Sequence, residues 1–200
     1  MRRLALALPF VLAACGPSTS APPSRSDAAM SPASPADALT LFDFAADGPA
    51  WSVENDGVMG GDSQGFHTIA DGTLRFTGEV VTEGGGFTSV RAERAVDLRA
   101  YDAVELRVRG GGRTFEIDLY DGVTDRGREV SRRGAFSTTE AWQTVRVPFG
   151  AIETTVHGEP SDAPPFDPAA VQSVGLYIID GQDGPFRLEV DWIRAVRSGA

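Results

Sequence analysis

From Leu39 to Val196 the apolar residues recur at every second position, and that period admits few architectures. Val104, Leu106 and Val108 alternate with Glu105, Arg107 and Arg109. Phe115, Ile117 and Leu119 alternate with Glu116, Asp118 and Tyr120. Val145, Val147 and Phe149 alternate with Arg146 and Pro148, and Phe186, Leu188, Val190 and Trp192 with Arg187, Glu189 and Asp191. Successive side chains of a strand point to opposite faces, so each run lays its apolar set on one side of a pleated ribbon. Trp192, fourth in its stripe, is expected to be buried. Turn chemistry separates the runs at Asp56-Gly57, Asp71-Gly72, Gly110-Gly111-Gly112, Asp121-Gly122 and Asp183-Gly184-Pro185. Further strands are expected near 40–45, 51–54, 64–69, 73–81, 86–92, 130–137 and 173–180, about ten or eleven in all. Only Asp167-Pro168-Ala169-Ala170-Val171 reads as helical, as one turn with Asp167 at the N-cap and Pro168 at N1. Many short strands with regular turns imply an all-β sandwich or jelly roll. About 160 residues suffice for one well-buried core.

The first 38 residues follow other rules. Met1-Arg2-Arg3 is a short basic region, and Leu4–Ala14 is an apolar run. A spanning helix needs about 20 such residues, so the run is too short to be a permanent span and has the layout of a secretory signal. It ends in Leu12-Ala13-Ala14-Cys15, which resembles the bacterial lipobox: small residues before a Cys that is lipidated and becomes the first residue. Cys15 is also the only Cys of the chain. The reading is therefore a signal peptide over 1–14, membrane lipid attached at Cys15, and an address in the bacterial cell envelope, at the outer membrane facing the periplasm. A thioether-linked diacylglycerol brings two acyl chains, which anchor stably where one does not. Residues 15–38 hold the lipidated Cys15 and a tether; Pro, Ser and Ala fill 17 of the 23 positions from 16 to 38. Such a segment cannot bury enough surface to offset chain entropy, and it can reach on the order of 70 Å. The folded domain is expected over 39–198.

Composition removes several function classes. The chain carries 28 acids against 18 bases, for a net charge of −10. That balance argues against nucleic-acid binding, which relies on basic surface. One Cys and two His exclude a disulfide framework and leave no Cys/His zinc site. No phosphate loop or cofactor motif is present. His67 and His157 have no motif around them. Asp43 and Asp191 lie on the first and last strands, too few oxygens for a calcium site.

Four ordered motifs carry a family resemblance. They are Trp51-Ser52-Val53-Glu54-Asn55-Asp56-Gly57-Val58-Met59-Gly60-Gly61-Asp62-Ser63, Gly84-Gly85-Gly86-Phe87-Thr88-Ser89-Val90-Arg91, Asp97-Leu98-Arg99-Ala100-Tyr101-Asp102, and Gly184-Pro185-Phe186-Arg187-Leu188-Glu189-Val190-Asp191-Trp192-Ile193. Together they resemble the complex I intermediate-associated protein 30 family, named for a mitochondrial assembly factor of NADH:ubiquinone oxidoreductase. The resemblance covers roughly 39–196. It implies a jelly-roll β-sandwich of the galactose-binding-domain-like type, akin to some carbohydrate-binding modules. It also implies an assembly-type role. The chain departs from the family at Glu83, where an Asn often precedes the glycine run. An exported domain would face the envelope, so the fold carries over and the complex I role does not.

Two regions are candidate sites. The motif loop, with Asn55, Asp56, Gly57, Met59, Gly60 and Gly61, is either a binding lip that presents Asp56, Met59 and Asp62 or a structural corner. In a corner the polar side chains cap the loop while Val58 and Met59 fill the core. The corner is the expected use, and Phe87 is likewise expected to plug the core. The second region is an outward strand face. If the 104–109 and 115–120 strands pair, Arg107, Arg109, Glu116, Asp118 and Tyr120 form one ligand-binding face with a ring for stacking and charges for hydroxyls. The bland alternative is a solvated face with cross-strand ion pairs. Segment 107–133 is locally rich in Arg. The function expected is a non-catalytic binding or assembly-type module for an envelope protein or glycan. A carbohydrate-binding module and a weak glycoside-acting hydrolase, using Glu116 with another acid, stand as alternatives.

Overall fold

In the computed structural model, which describes residues 38–197, two antiparallel sheets enclose a single apolar core. The first sheet runs β11 (Gln143–Pro148), β6 (Ala103–Arg109), β15 (Gly184–Val196), β4 (Thr73–Val80) and β3 (Gln64–Ala70). β1 (Ala38–Phe42) takes the place beside β15 that β4 leaves free, pairing with Ile193–Val196 while β4 pairs with Gly184–Val190. The second sheet runs β13 (Glu159–Pro160), β12 (Glu153–Val156), β10 (Ser131–Ser137), β7 (Thr114–Tyr120), β14 (Val171–Ile178), β5 (Thr88–Val96) and β2 (Trp51–Asn55). A small ribbon joins β8 (Thr124–Asp125) to β9 (Arg128–Glu129). The all-β sandwich expected from the two-residue period is the fold observed. The short strands β8, β9, β12 and β13 carry too few residues to show a period. The one helical turn forms where expected: Asp167 accepts the Ala169 N–H at 2.9 Å and Pro168 opens the turn.

The core is built from the inward members of each alternation. Leu74, Phe76, Leu106, Val108, Leu188 and Ile193 of the first sheet meet Val90, Phe115, Ile117, Leu119, Leu176 and Ile178 of the second. Phe186 bridges the layers, 4.8 Å from the Phe76 ring and 6.3 Å from that of Phe115.

Three expectations are corrected. First, β6 and β7 do not pair: β6 lies between β11 and β15, and β7 between β10 and β14. The Gly110–Gly112 run arches from one sheet to the other, with Gly111 and Gly112 at φ 65° and 89° and the N–H groups of Gly110 and Gly111 donating to the Thr139 carbonyl. Alternation is identical for any partner strand, so it could not reveal this. Second, a bulge in β15 shifts the β6 register between Val190 and Trp192. It turns Trp192 outward under the Arg194 guanidinium, 4.3 Å from its ring, and puts Ile193 in the core. Third, Phe87 is only half-buried and stacks on Tyr177 outside the sandwich. Residues 1–37, with the expected signal peptide, Cys15 and most of the expected tether, lie outside the described residues, as do Ser198, the expected end of the domain, and the side chains of Val58 and Met59.

Candidate functional site

The outward face of the second sheet is a register of aligned side chains. One cross-strand row reads Arg133, Asp118, Gly175, Arg91, Ser52. The row on one side reads Ala135, Glu116, Tyr177, Ser89, Glu54, and Tyr120 faces Ser173 on the other. Gly175 leaves a gap in the middle row, and the Tyr177 ring leans over it: a Cβ at Gly175 would stand 3.1 Å from that ring. Arg91 Nη2 donates to the Tyr177 hydroxyl at 3.1 Å, the Arg133 guanidinium lies over the Tyr177 ring at 5.0 Å, and the Phe87 ring stacks with it at 6.4 Å. Phe87, Arg91, Glu129, Arg133, Tyr177 and the exposed His157 line a groove of about 430 Å³.

Its electrostatics follow from burial. Asp118 is 1% exposed although it points away from the core. Burial raises its pKa, against the lowering effect of the Arg132 N–H at 2.8 Å and the charges of Arg91 and Arg133. Asp118 Oδ2 has no hydrogen bond and stands 3.6 Å from Arg91 Nη2. Glu116 is also pushed up by burial, opposed by Arg133 at 3.2 Å. Arg91 loses some proton affinity to burial, but Tyr177, Glu129 at 2.8 Å and Asp118 more than restore it, so it stays charged at any relevant pH. Burial raises Tyr177 above the usual phenol range. The groove therefore offers an aromatic wall between two fixed cations, with carboxylates at its rim and beneath it.

Of the five residues expected to share one face, Glu116, Asp118 and Tyr120 do. Tyr120 lies outside the sheets, half-buried, with the Arg91 guanidinium 5.6 Å from its ring centre. Arg107 and Arg109 do not join them; they point outward from the first sheet, beside Trp142. The arginine-rich segment 107–133 is likewise divided. Arg132 is fully buried and paired with Asp121 at 3.0 Å, and Arg113 binds Asp180 at 2.6 Å. The residues missed from sequence are Tyr177, Arg91, Arg133 and Phe87. β14 reads Val-Gln-Ser-Val-Gly-Leu-Tyr-Ile, and at its end the aromatic Tyr177 stands between Leu176 and Ile178 with no polar residue to mark it as outward. Arg91, set between the apolar Val90 and Ala92, was the available signal, whereas Arg133 adjoins Arg132 and nothing along the chain says which of the two turns inward.

The motif loop is a structural corner. Asp56 is fully buried in the turn Asp56–Met59. Its Oδ1 accepts the Ser63 N–H at 2.9 Å, and its Oδ2 accepts Gly86 N–H at 2.7 Å and Phe87 N–H at 3.3 Å. Burial acts to raise its pKa, but these donors outweigh it and hold the carboxyl below its usual range. A side chain at Gly61 or Gly85 would strike the Asp56 carboxylate, which is why both positions are glycine. Asn55 accepts from Gly65 N–H at 2.9 Å and Thr88 Oγ1 at 2.6 Å. The clasp joins two motifs distant in sequence, and its product is the placement of Phe87 against the groove. Asp43 and Asp191, weighed as calcium ligands, are engaged with the Ala45 N–H and with Arg107 respectively.

The family model described as Complex I intermediate-associated protein 30 matches residues 41–190. The mitochondrial complex I intermediate-associated protein 30 of Mus musculus is 30% identical over 101 residues, 48% of this chain and 31% of the mouse protein. The match thus spans about a third of that relative. Among solved structures, the family 11 carbohydrate-binding module of a cellulosomal cellulase of Clostridium thermocellum superposes with a TM-score of 0.61 at 11% identity, covering 80% of this chain and 95% of the module. The family 11 module from Clostridium thermocellum in complex with a β-1,3-1,4-mixed-linked tetrasaccharide gives 0.57 at 13% identity, covering 81% and 96%. At these identities the likeness is one of fold.

Proposed function

The chain belongs to the complex I intermediate-associated protein 30 family, and from that premise we propose that it is a non-catalytic binding module of the assembly type, held at the bacterial envelope by lipid on Cys15, which grips an envelope protein through the outward face of its second sheet. The observation that carries the reading is the Phe87–Tyr177 aromatic wall set between Arg91 and Arg133 in the 430 Å³ groove. Aromatic and Arg side chains are the usual energetic anchors of recognition surfaces. The clasp at Asp56 supports it too, because the family's signature residues hold one wall of that groove. The carboxylates of the face serve its ion pairs: Glu116 is bound to Arg133 and Glu129 to Arg91. The test is site-specific photo-crosslinking in cells, with the reactive side chain at position 87 and a control at Thr144 on the first sheet. One defined protein captured from position 87 and not from 144 is expected. No product, or the same product from both positions, overturns the reading.

A second reading is a carbohydrate-binding module, favoured by the ring-and-charge composition of the groove and by a fold shared with a carbohydrate-binding module solved in complex with a β-1,3-1,4-mixed-linked tetrasaccharide. Sugars stack on exposed aromatic faces while charged groups take their hydroxyls. Titration with the mixed-linked tetrasaccharide, followed by amide shifts, would then move Phe87, Tyr177 and Arg91 selectively. No shift at millimolar ligand rejects this ligand class.

A further inference from the structure

The opposite face of the molecule holds a charge cluster that the groove does not use. In the first sheet a cross-strand row reads Thr68, Arg75, Glu189, Arg109, and Arg187 stands two residues before Glu189 on the same face. Three guanidiniums converge on one carboxylate. Arg75 Nε donates to Glu189 Oε1 at 3.1 Å, Arg187 Nη2 donates to the same oxygen at 2.7 Å, and Arg109 Nε donates to Oε2. The Glu189 side chain is 2% exposed, whereas those of Arg75, Arg109 and Arg187 are 43%, 39% and 61% exposed. Burial raises the carboxyl's pKa, but the three arginines hold it at about 2, so it is ionised at neutral pH.

A single negative charge cannot balance three permanent positive ones. Each guanidinium carries five N–H donors in a rigid fork, and Glu189 takes one from each, leaving most of every fork unused. Among the described residues the three arginines form ion pairs with Glu189 alone. Arg107 is matched by Asp191 at 3.2 Å and Arg113 by Asp180 at 2.6 Å. Glu140 stands at the cavity edge, and Glu79 is exposed one row beyond Arg187. Arg109 is further oriented by Trp142, whose ring lies 4.9 Å beneath it. Arg109 and Arg187 open onto a cavity of about 460 Å³ floored by Gly110, Gly111 and Phe186. The local excess of positive charge thus sits at a cavity, on a chain of net charge −10.

We propose that this cluster is an oxyanion site that binds a phosphate or sulfate group, carried by a soluble ligand or by a lipid headgroup. Arg187, Arg109 and Arg75 grip the oxygens, and the buried Glu189 is the template that holds the three forks side by side. A dianion completes the charge balance that Glu189 leaves open. Tetrahedral oxyanions accept several charge-assisted hydrogen bonds at once, which suits converging guanidiniums.

The probe is inorganic phosphate, titrated into the full chain at constant ionic strength with chloride as the reference. Arginine Nε resonances report it. Saturable shifts at Arg75, Arg109 and Arg187 that chloride does not reproduce are expected. Arg187→Ala, at an exposed position, should keep the melting temperature and weaken phosphate binding about tenfold. A second arm uses vesicles of phosphatidylcholine with and without phosphatidylglycerol. Flotation uses a Cys15→Ala chain, which carries no lipid: co-flotation that a further Arg187→Ala change abolishes assigns the site to a headgroup, and a phosphate response without flotation assigns it to a soluble phosphorylated or sulfated ligand. Absence of a phosphate-specific shift, or an Arg187→Ala chain that responds like the wild type, overturns the site.

Discussion

Asp56 and Glu189 are both buried carboxylates kept ionised, by different means. Asp56 is held by backbone N–H groups of two glycine loops and Glu189 by three guanidiniums. Asp56→Ala would strand three donors, two of them within 2.9 Å of the carboxylate. Leaving buried donors unpaired costs about 1–3 kcal/mol each, less where water enters, so a loss of about 2–4 kcal/mol is expected by chemical denaturation. Phe87 should gain mobility at the same time, because its N–H is one of the three. Glu189 gives a pH dependence with a defined sign. Its folded pKa lies at about 2, below the ordinary 4.5. A depressed folded pKa contributes stability above the unfolded value, and that contribution is lost as the pH falls through the folded one. The wild type should therefore lose stability against Glu189→Gln between about pH 4.5 and pH 2, and the difference between the two unfolding curves should be flat above that window.

At the scale of elements, β15 decides most. It spans Gly184–Val196, serves three partner strands, and changes the facing of its side chains at the bulge before Trp192. Without the bulge, Trp192 would continue the stripe of Phe186, Leu188 and Val190. With it, Ile193 is 0% exposed and faces Leu106. Ile193→Ala should cost about 2–5 kcal/mol, as large-to-small core substitutions do. Trp192→Ala should cost far less, since it removes a half-buried ring and one cation–π contact of about 0.5–1 kcal/mol. Equilibrium denaturation of both variants checks the register; equal losses would place the bulge elsewhere. The arch after β6 has a comparable effect. A tight hairpin would have set Arg107 opposite Glu116, on one face with Asp118 and Tyr120. The glycine run instead carries the chain across the core, and one expected site becomes two faces with different chemistry.

For the whole molecule, the sandwich sets an aromatic groove on one side and an arginine cluster on the other, and lipid anchoring at Cys15 would hold both near a membrane. Cys15→Ala should abolish acyl modification and leave the protein unprocessed or soluble. Membrane fractionation with mass spectrometry of the N-terminus checks it, and an unchanged acylated membrane form rejects the anchor. The all-β class, most strand positions, the single helical turn at Asp167 and the family motifs were legible along the chain. They depend on local periods and on turn residues such as Asp-Gly and Gly-Gly, whose preferences act over a few positions. Glu116, Asp118 and Tyr120 were legible as outward residues for the same reason. Their true companions were not. Arg133, Asp118, Gly175 and Arg91 form one row only because β10, β7, β14 and β5 lie side by side, and Arg75 meets Glu189 across 114 residues of chain. A two-residue period reads the same whichever strand is the neighbour, so sequence by itself determined which side chains turn outward. Which of them meet, and where a bulge reverses the order, was decided by tertiary structure, because strand pairing minimises the free energy of the whole core rather than of any one segment.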